Sequence, residues 1–350
     1  MSVLYASNSP SSPSRPVNPG RWVPLVSILR PGITMLLTLA IVTVVQAAPQ
    51  TPKPAAAPTT CATCHAGVAN HYATAPMRHA MEPQGANPQL AAHPSLSAQL
   101  GKYSYSVQTK DGHLYESLMS YYPRDNSLSI TPGDQKITPA TLTEAMGREL
   151  SLWESRSCFN CHATGVVPGE KMVLEKLTPG LECERCHAGA QQHMADAAHD
   201  NFKTLPKSLR RMDSEEISTF CGQCHRTWDT VIRNHWKGPA FVRFQPYRLE
   251  NSKCFIGNDK RISCLACHDP HQPVNHDQSY YDAKCLACHG APHAQAKASP
   301  SPAMPMYKAC PVAKSNCVSC HMPRIELPGG HAQFTDHQIR IARPGDPYPD

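Results

Sequence analysis

Seven copies of the pattern Cys-x-x-Cys-His constrain this chain more than any other feature. They begin at Cys61, Cys158, Cys183, Cys221, Cys264, Cys285 and Cys317. The spacing is that of a c-type haem attachment site, in which two thiols bond to one porphyrin edge and the histidine ligates the iron. A zinc site pairs its Cys-x-x-Cys units without a histidine after each, and a redox dithiol occurs once, beside a βαβ pattern. The sequence therefore predicts seven covalently bound haem c groups.

Each motif assigns two attachment cysteines and one proximal iron ligand. The predicted attachment cysteines are Cys61, Cys64, Cys158, Cys161, Cys183, Cys186, Cys221, Cys224, Cys264, Cys267, Cys285, Cys288, Cys317 and Cys320. The predicted proximal ligands are His65, His162, His187, His225, His268, His289 and His321. No Cys-x-x-Cys-Lys, the lysine-ligated catalytic motif of pentahaem nitrite reductases, occurs in the chain.

Residues 1–47 have the pattern of an export signal. Arg15, Arg21 and Arg30 are their only charged residues, and an apolar run of 13 residues, 33–45, precedes small residues suited to cleavage after Ala47. The alternative is an uncleaved N-terminal anchor, but a spanning helix needs about 20 apolar residues. Cleavage is therefore favoured, with no membrane span afterwards. Because c-type haems are attached outside the cytoplasm, we expect a periplasmic or extracellular protein.

Composition predicts a fold built around the cofactors. Roughly 43 residues per haem are too few to enclose each cofactor in side chains. The 34 prolines and the 7% aromatic content disfavour long helices and sheets. We therefore predict a mainly irregular fold with short α-helices around a covalent haem array. The formal net charge of +6 includes the three signal-region arginines, and haem propionates offset more of it, so a nucleic-acid partner is not supported.

The chain divides into five predicted regions. These are the signal peptide at 1–47, a linker at 48–60, a lobe with haem 1 at 61–157, a six-haem array at 158–340 and a tail at 341–350. Within the lobe, alternation at 103–109, the turn signal Asp111-Gly112 and extended runs at 113–122 and 127–131 predict a small antiparallel β-insert near 100–135. The apolar spacing at 141–153 predicts a helix leading into the second motif.

Twelve histidines remain outside the motifs, and a second imidazole on most irons would explain that surplus. His271 follows His268 by three residues and His293 follows His289 by four, so on a helix each pair shares one face. Such a neighbour cannot easily reach the opposite side of the same iron, and would serve a neighbouring haem instead. The alternatives are surface histidines, or thioether ligands from Met77, Met81, Met194 or Met322.

Two cysteines, Cys254 and Cys310, lie outside the motifs. In an exported protein an even remainder predicts a disulfide, which would enclose the motifs at Cys264 and Cys285. Two separate buried thiols, or an unusual haem contact, are the alternatives.

Several segments resemble the cytochrome c-554 family and related multihaem cytochromes. Gly180-Leu-Glu-Cys-Glu-Arg-Cys-His-Ala-Gly189 followed by His193 is similar to a c-554 segment; residues 264–271, 317–323 and 331–337 resemble blocks of related proteins, some fused to tetratricopeptide repeats. The resemblance implies stacked and perpendicular haem pairs with mainly bis-histidine ligation. It favours His79, His193, His271 and His331 as distal ligands, and the predicted set also includes His276, His293 and His235. The chain departs from the family by lacking the repeats and by having seven haem motifs where c-554 has four.

Three functions fit this sequence. The leading hypothesis is an exported heptahaem cytochrome that transfers electrons through closely packed haems between a periplasmic donor and acceptor, with redox proteins such as a quinol-linked donor and a terminal reductase as partners. The second is a multihaem oxidoreductase acting on nitrite, hydroxylamine or a similar small species at an open iron. The third is a subunit of a polymeric haem wire. The sequence favours an electron carrier over an enzyme.

Overall fold

A short helix carries each of the seven Cys-x-x-Cys-His motifs. The computed structural model describes residues 60–82, 107–110, 113–122, 127–131, 134, 136–167, 171–290, 310–327 and 331–348, and all of them belong to one compact unit. The helices in these ranges are α1 Cys61–Cys64, α2 Ala66–Tyr72, α3 Leu142–Met146, α4 Leu152–His162, α5 Cys183–Cys186, α6 Ala190–Ala197, α7 Ser214–His225, α8 Trp228–Arg233, α9 Gln245–Glu250, α10 Cys264–Cys267, α11 Gln278–His289 and α12 Cys317–His321. The predicted fold class, irregular chain with short helices across the motifs, is confirmed.

Side-chain caps determine where the longer motif helices begin. At α4 the Ser151 hydroxyl accepts the Glu154 N–H at 3.2 Å, and the Glu154 carboxylate accepts the Ser151 N–H at 2.9 Å. Asp213 and Glu216 form the same capping box at α7. Such caps satisfy backbone donors that the first turn leaves unpaired. Both helices end on the motif histidine, so that the ring leaves the helix directly after the two thiols.

The strands are short and antiparallel, and they form one three-stranded and three two-stranded sheets in the described residues. They are β1 Val107–Lys110, β2 His113–Ser117, β3 Met119–Tyr122, β4 Ser127–Ile130, β5 Gly147–Glu149, β6 Ala163–Thr164, β7 Thr178–Pro179, β8 Arg324–Glu326 and β9 Gln333–Thr335. The predicted β-insert is confirmed in β1–β4, but the run 113–122 breaks at Leu118. Its halves join different sheets, β1–β2–β5 and β3–β4; residues 101–106 lie outside the described residues.

The continuous helix predicted at 141–153 is wrong. Helix α3 ends at Met146, and β5 then pairs with β2, with Gly147 opposite Ser117. Gly147 has φ +144°, and a Cβ there would lie 1.9 Å from the Glu116 carbonyl oxygen. Only glycine tolerates that close approach and that backbone conformation, so this residue interrupts an otherwise helical pattern.

Side chains form only small hydrophobic clusters. One cluster connects the β-insert to the helix of the second motif and contains Met81, Leu114, Leu150, Phe159, Ala163 and Val166. The other lies beside α8 and α9 and contains Val231, Phe241, Phe244 and Tyr247. The small size of these clusters agrees with the prediction that cofactors supply much of the core.

The predicted boundary at 157/158 falls inside α4. The first cluster also includes residues from both sides of it. The division into a haem 1 lobe and a six-haem array stays a prediction, and the predicted signal peptide and nearly all of the linker lie outside the described residues. No helix among the residues described here is long and apolar enough to cross a membrane.

Candidate haem attachment and iron-ligand sites

Thiols of different motifs lie close enough to shift one another's pKa. The pairs are Cys61 with Cys183, Cys161 with Cys224, Cys221 with Cys264, and Cys285 with Cys317. Numbering the attachment sites in chain order, these pairs place site 1 near site 3, site 2 near site 4, site 4 near site 5, and site 6 near site 7. Neighbours in space are therefore not simply neighbours in sequence.

Further electrostatic interactions connect these groups of sites to one another. Burial raises the pKa of the Cys186 thiol, and the nearby Cys221 and Cys224 raise it further. Burial likewise raises the pKa of Cys267, with Cys285 adding to the effect. Site 3 thus lies near site 4, and site 5 lies near site 6. Together the contacts give the series 1–3–4–5–6–7, with site 2 beside site 4.

Backbone carbonyls hold three of the proximal imidazoles. Nδ1 of His162 lies 2.8 Å from the Ala80 oxygen, Nδ1 of His187 lies 3.1 Å from the Lys207 oxygen, and Nδ1 of His321 lies 3.0 Å from the Arg340 oxygen. Because a carbonyl only accepts, Nδ1 carries the hydrogen in each case. In His187 and His321 the lone pair of Nε2 is then left for a metal, an arrangement typical of metal-ligating histidines.

Three imidazole pairs have the spacing of two ligands on one iron. The ring centroids of His65 and His193 are 6.5 Å apart, those of His187 and His271 are 6.1 Å apart, and those of His268 and His337 are 6.2 Å apart. A metal–imidazole bond is about 2 Å long, so two rings on opposite faces of one metal have centroids about 6 Å apart. These residues, with their thiol pairs, fit haem c.

The rings of His193 and His271 each lie beside the histidine of a motif other than the one that precedes them, an arrangement that the spacing predicts for His271. His193 is held through Nδ1 by the Thr204 carbonyl at 2.7 Å. His271 is oriented by Asp269, whose carboxylate accepts from its backbone N–H at 2.9 Å and lies 3.1 Å from Nδ1. The assignment of either residue as a ligand stays a proposal.

Sequence reasoning did not select His337. Its Nδ1 lies 3.0 Å from the Thr335 carbonyl oxygen. Burial lowers the pKa of His337 to about 4 and also lowers the pKa of His268. Both rings are therefore neutral at pH 7, which is the form that binds a metal. The sequence signal that could have identified His337 is the family resemblance of residues 331–337, which the sequence analysis assigned to His331.

The other predicted distal ligands differ from His193 and His271 in their surroundings. Both nitrogens of His79 are hydrogen-bonded, Nδ1 to Glu82 at 2.5 Å and Nε2 to the Ala73 carbonyl at 2.6 Å. His331 stacks on Tyr122 with centroids 4.0 Å apart, and His276 and His235 are exposed. His293 lies outside the described residues. Distal roles for these five residues stay predictions.

A buried ion pair fixes the segment that carries His337. The side chains of Arg248 and Asp336 are 1% and 0% exposed and make two hydrogen bonds of 2.9 and 3.0 Å. Arg248 also donates to Gln338 at 2.7 Å and lies over the Tyr348 ring. On the far side of His337, the Ser252 hydroxyl accepts the Ile339 N–H at 2.8 Å. The backbone around His337 is therefore held on both sides.

The Cys254–Cys310 disulfide stays a prediction; both residues have free thiols here, as do the fourteen cysteines of the motifs. Cys254 is half-buried beside site 6, where burial and then the charges of Cys285 and Cys288 raise its pKa. Cys310 is exposed on the loop before site 7. Of the methionines considered as ligands, Met81 is buried in the first hydrophobic cluster, and Met194 has its sulfur 3.8 Å from Cys61 Sγ.

Comparisons with known proteins agree with the motif analysis. Residues 132–188 match the family described as cytochrome c554 and c-prime, and residues 256–327 match the family described as cytochrome c3. A solved structure, an undecaheme cytochrome from the S-layer of Carboxydothermus ferrireducens, is similar at a TM-score of 0.43 and 17% identity. The alignment covers 83% of this chain and 53% of that one, so the chain spans about half of the length of that protein. No curated protein matched the sequence.

Proposed function

We propose that this chain is a multihaem c-type cytochrome and acts as an exported heptahaem electron carrier. Seven haem c groups would be held by the seven Cys-x-x-Cys-His motifs, and the carrier would act between a periplasmic or extracellular donor and acceptor. Bound haem c supplies one-electron Fe(III)/Fe(II) chemistry. The observation that carries the proposal is the set of three imidazole pairs 6.1–6.5 Å apart.

Each pair would bind one iron on both faces. The proposed ligand sets are His65 with His193 at site 1, His187 with His271 at site 3, and His268 with His337 at site 5. In each set one imidazole comes from the motif and the other from elsewhere in the chain. Nδ1 contacts to the carbonyls of Lys207, Thr204 and Thr335 would orient rings of all three sets. An iron with both axial positions taken by protein exchanges electrons without binding substrate, which favours a carrier over an enzyme.

The contacts between motifs support a relay along the series 1–3–4–5–6–7, with site 2 beside site 4. Attachment cysteines of neighbouring sites lie close enough to shift one another's pKa at each step of that series. Donor and acceptor would then approach the terminal sites 1, 2 and 7.

Intact mass and electron paramagnetic resonance test the proposal together. The exported protein should carry seven covalent haems, and its oxidised spectrum should be low-spin and unchanged by nitrite, hydroxylamine or cyanide. Fewer than seven haems would contradict the cofactor count. A high-spin signal that shifts with one of the added ligands would instead support the oxidoreductase hypothesis.

A further inference from the structure

An exposed cationic segment runs between α6 and α7. Residues 201–212 contain Lys203, Lys207, Arg210 and Arg211 and no Asp or Glu, and all four cationic side chains are exposed. Within the described residues no ion pair involves any of the four. Phe202 and Leu205, in the same segment, are 58% and 70% exposed. The segment therefore presents unneutralised positive charge together with apolar surface.

The acidic residues that flank the segment reduce its charge without cancelling it. The Asp196 carboxylate accepts from Gln192 at 2.8 Å, the Asp213 carboxylate caps α7 by accepting the Glu216 N–H at 2.9 Å, and Asp200 is exposed. A carboxylate that accepts a hydrogen bond remains negatively charged, so these three carboxylates and the four cations leave a net charge of +1. All four cationic side chains are exposed, so the surface of the segment stays positive.

The backbone of the same segment contacts the candidate ligands of two sites. The Thr204 carbonyl lies 2.7 Å from Nδ1 of His193, and the Lys207 carbonyl lies 3.1 Å from Nδ1 of His187. Lys207 also donates its N–H to the Ala188 carbonyl at 2.8 Å, and it lines a cavity of about 420 Å³ beside Cys186. The segment thus covers sites 1 and 3 while its charged side chains face outward.

We propose that residues 201–212 are the docking surface for an acidic redox protein that exchanges electrons with sites 1 and 3. The proposal rests on the proposed electron-carrier function and names its partner class. Opposite charge steers encounter and raises association rates, and Phe202 and Leu205 add apolar contact of the kind that marks interaction surfaces. Weak redox encounters use small interfaces, and a twelve-residue segment suits one.

Flavodoxin hydroquinone is a suitable acidic protein probe. Its anionic hydroquinone loses one electron to become the neutral semiquinone, one ferric haem becomes ferrous, and no proton moves. The reduced methyl viologen radical cation gives one electron to the same acceptors and carries the opposite charge. Stopped-flow mixing of each donor with the oxidised holoprotein yields a second-order rate constant.

The test variant is Lys203→Glu/Arg210→Glu, which changes neither carbonyl that contacts a histidine. At low ionic strength we expect reduction by flavodoxin to slow about 10-fold and reduction by the viologen radical to accelerate. Both effects should fade at high salt, where charges are screened. The matched control Lys237→Glu/Lys253→Glu reverses two exposed charges outside residues 201–212 and should leave the flavodoxin rate unchanged.

Three outcomes would overturn the proposal. The first is an equal flavodoxin rate in wild type and test variant. The second is altered haem midpoint potentials with unchanged salt dependence, which would assign these cations to the protein's own haem propionates. The third is wild-type protein that is reduced by dithionite but not by flavodoxin. That result would contradict the docking surface and would leave the proposed electron-carrier function standing. Wild-type protein that neither dithionite nor flavodoxin reduces would instead contradict the proposed electron-carrier function itself.

Discussion

Replacing Asp336 with alanine should free one haem iron from its second ligand. Asp336 is completely buried, and its carboxylate is the partner of the equally buried Arg248. It also accepts the Gln338 N–H at 3.0 Å, so it closes the turn that follows His337. In the Asp336→Ala variant Arg248 keeps its charge and loses its counter-ion, while the turn loses its acceptor.

The size of the effect follows from burial. Removing one partner of a buried ion pair costs about 3–5 kcal/mol. If about 3 kcal/mol of this acts on the segment around His337, the ratio of ligated to detached imidazole falls roughly 100-fold. His268 would then have no partner ring 6.2 Å away, and one of seven irons would become five-coordinate and high-spin.

The assay is electron paramagnetic resonance of the oxidised holoprotein with a redox titration of the same sample. We expect a high-spin signal for about one iron in seven and a changed midpoint potential for that iron. The control is Asp229→Ala, which removes the exposed Asp229–Arg233 pair, 72% and 76% exposed, a pair worth less than about 1 kcal/mol. An entirely low-spin Asp336→Ala protein with seven haems and wild-type potentials would refute the reasoning.

Failure of Asp336→Ala to fold would not end the test. Replacing Arg248 and Asp336 together by apolar residues, Arg248→Met/Asp336→Leu, removes the two fully buried charges, a change that is often close to neutral for stability. Arg340, 23% exposed, then loses its 3.1 Å contact to Asp336 but keeps access to water. The double variant also lacks the hydrogen bonds to Gln338. It should therefore fold with seven haems and still show the high-spin iron; a low-spin spectrum here would equally contradict the role given to the pair.

Other predictions follow from the same structure. His193→Ala and His271→Ala should each convert one low-spin iron to high-spin, at sites 1 and 3, and the combined variant should convert two; a single signal in the combined variant would mean that both residues serve one site. His337→Met should keep site 5 six-coordinate and raise its midpoint potential in a redox titration, and an unchanged titration would exclude His337 as a ligand. Gly147→Ala should lower the free energy of unfolding by about 3 kcal/mol in denaturant titrations, because φ is +144° and the new Cβ meets the Glu116 carbonyl. Gly67→Ala, on helix α2 with nothing within 4 Å of its Cβ position, should instead stabilise by about 1 kcal/mol.

Local pattern was enough to predict the cofactor-bearing elements. The Cys-x-x-Cys-His spacing is a property of five consecutive residues, and the short helices across it follow from the same stretch. The β-insert was also predictable, because alternation and the Asp111-Gly112 turn are local signals. The helix predicted at 141–153 failed at Gly147, where pairing with β2 outweighed an apolar spacing that suited a helix.

Distal ligands were harder to predict because they depend on contacts between distant parts of the chain. The three-residue spacing from His268 to His271 disfavours a shared iron, and the His271 ring lies beside the histidine of another motif. The spacing could not say that the neighbour would be His187. His337 was harder still to select from sequence. Its position depends on the pairing of its neighbour Asp336 with Arg248, 88 residues earlier in the chain, and no local pattern indicates such a pairing.

One short segment can contact the histidines of two attachment sites. Sharing of this kind allows a small number of residues to hold many cofactors. The stretch that carries His337 beside site 5 continues to Arg340, whose carbonyl lies 3.0 Å from Nδ1 of His321 at site 7. Two residues later the Ala342 N–H donates to the Cys320 carbonyl at 2.8 Å. The segment 201–212 does the same for sites 1 and 3. With the proposed seven haems, roughly 43 residues per haem, loops shared in this way would let a short chain orient many ligands. A change at Asp336 should therefore shift the midpoint potential of site 7 in addition to freeing the iron at site 5, whereas an exposed pair such as Asp229–Arg233 should affect neither site.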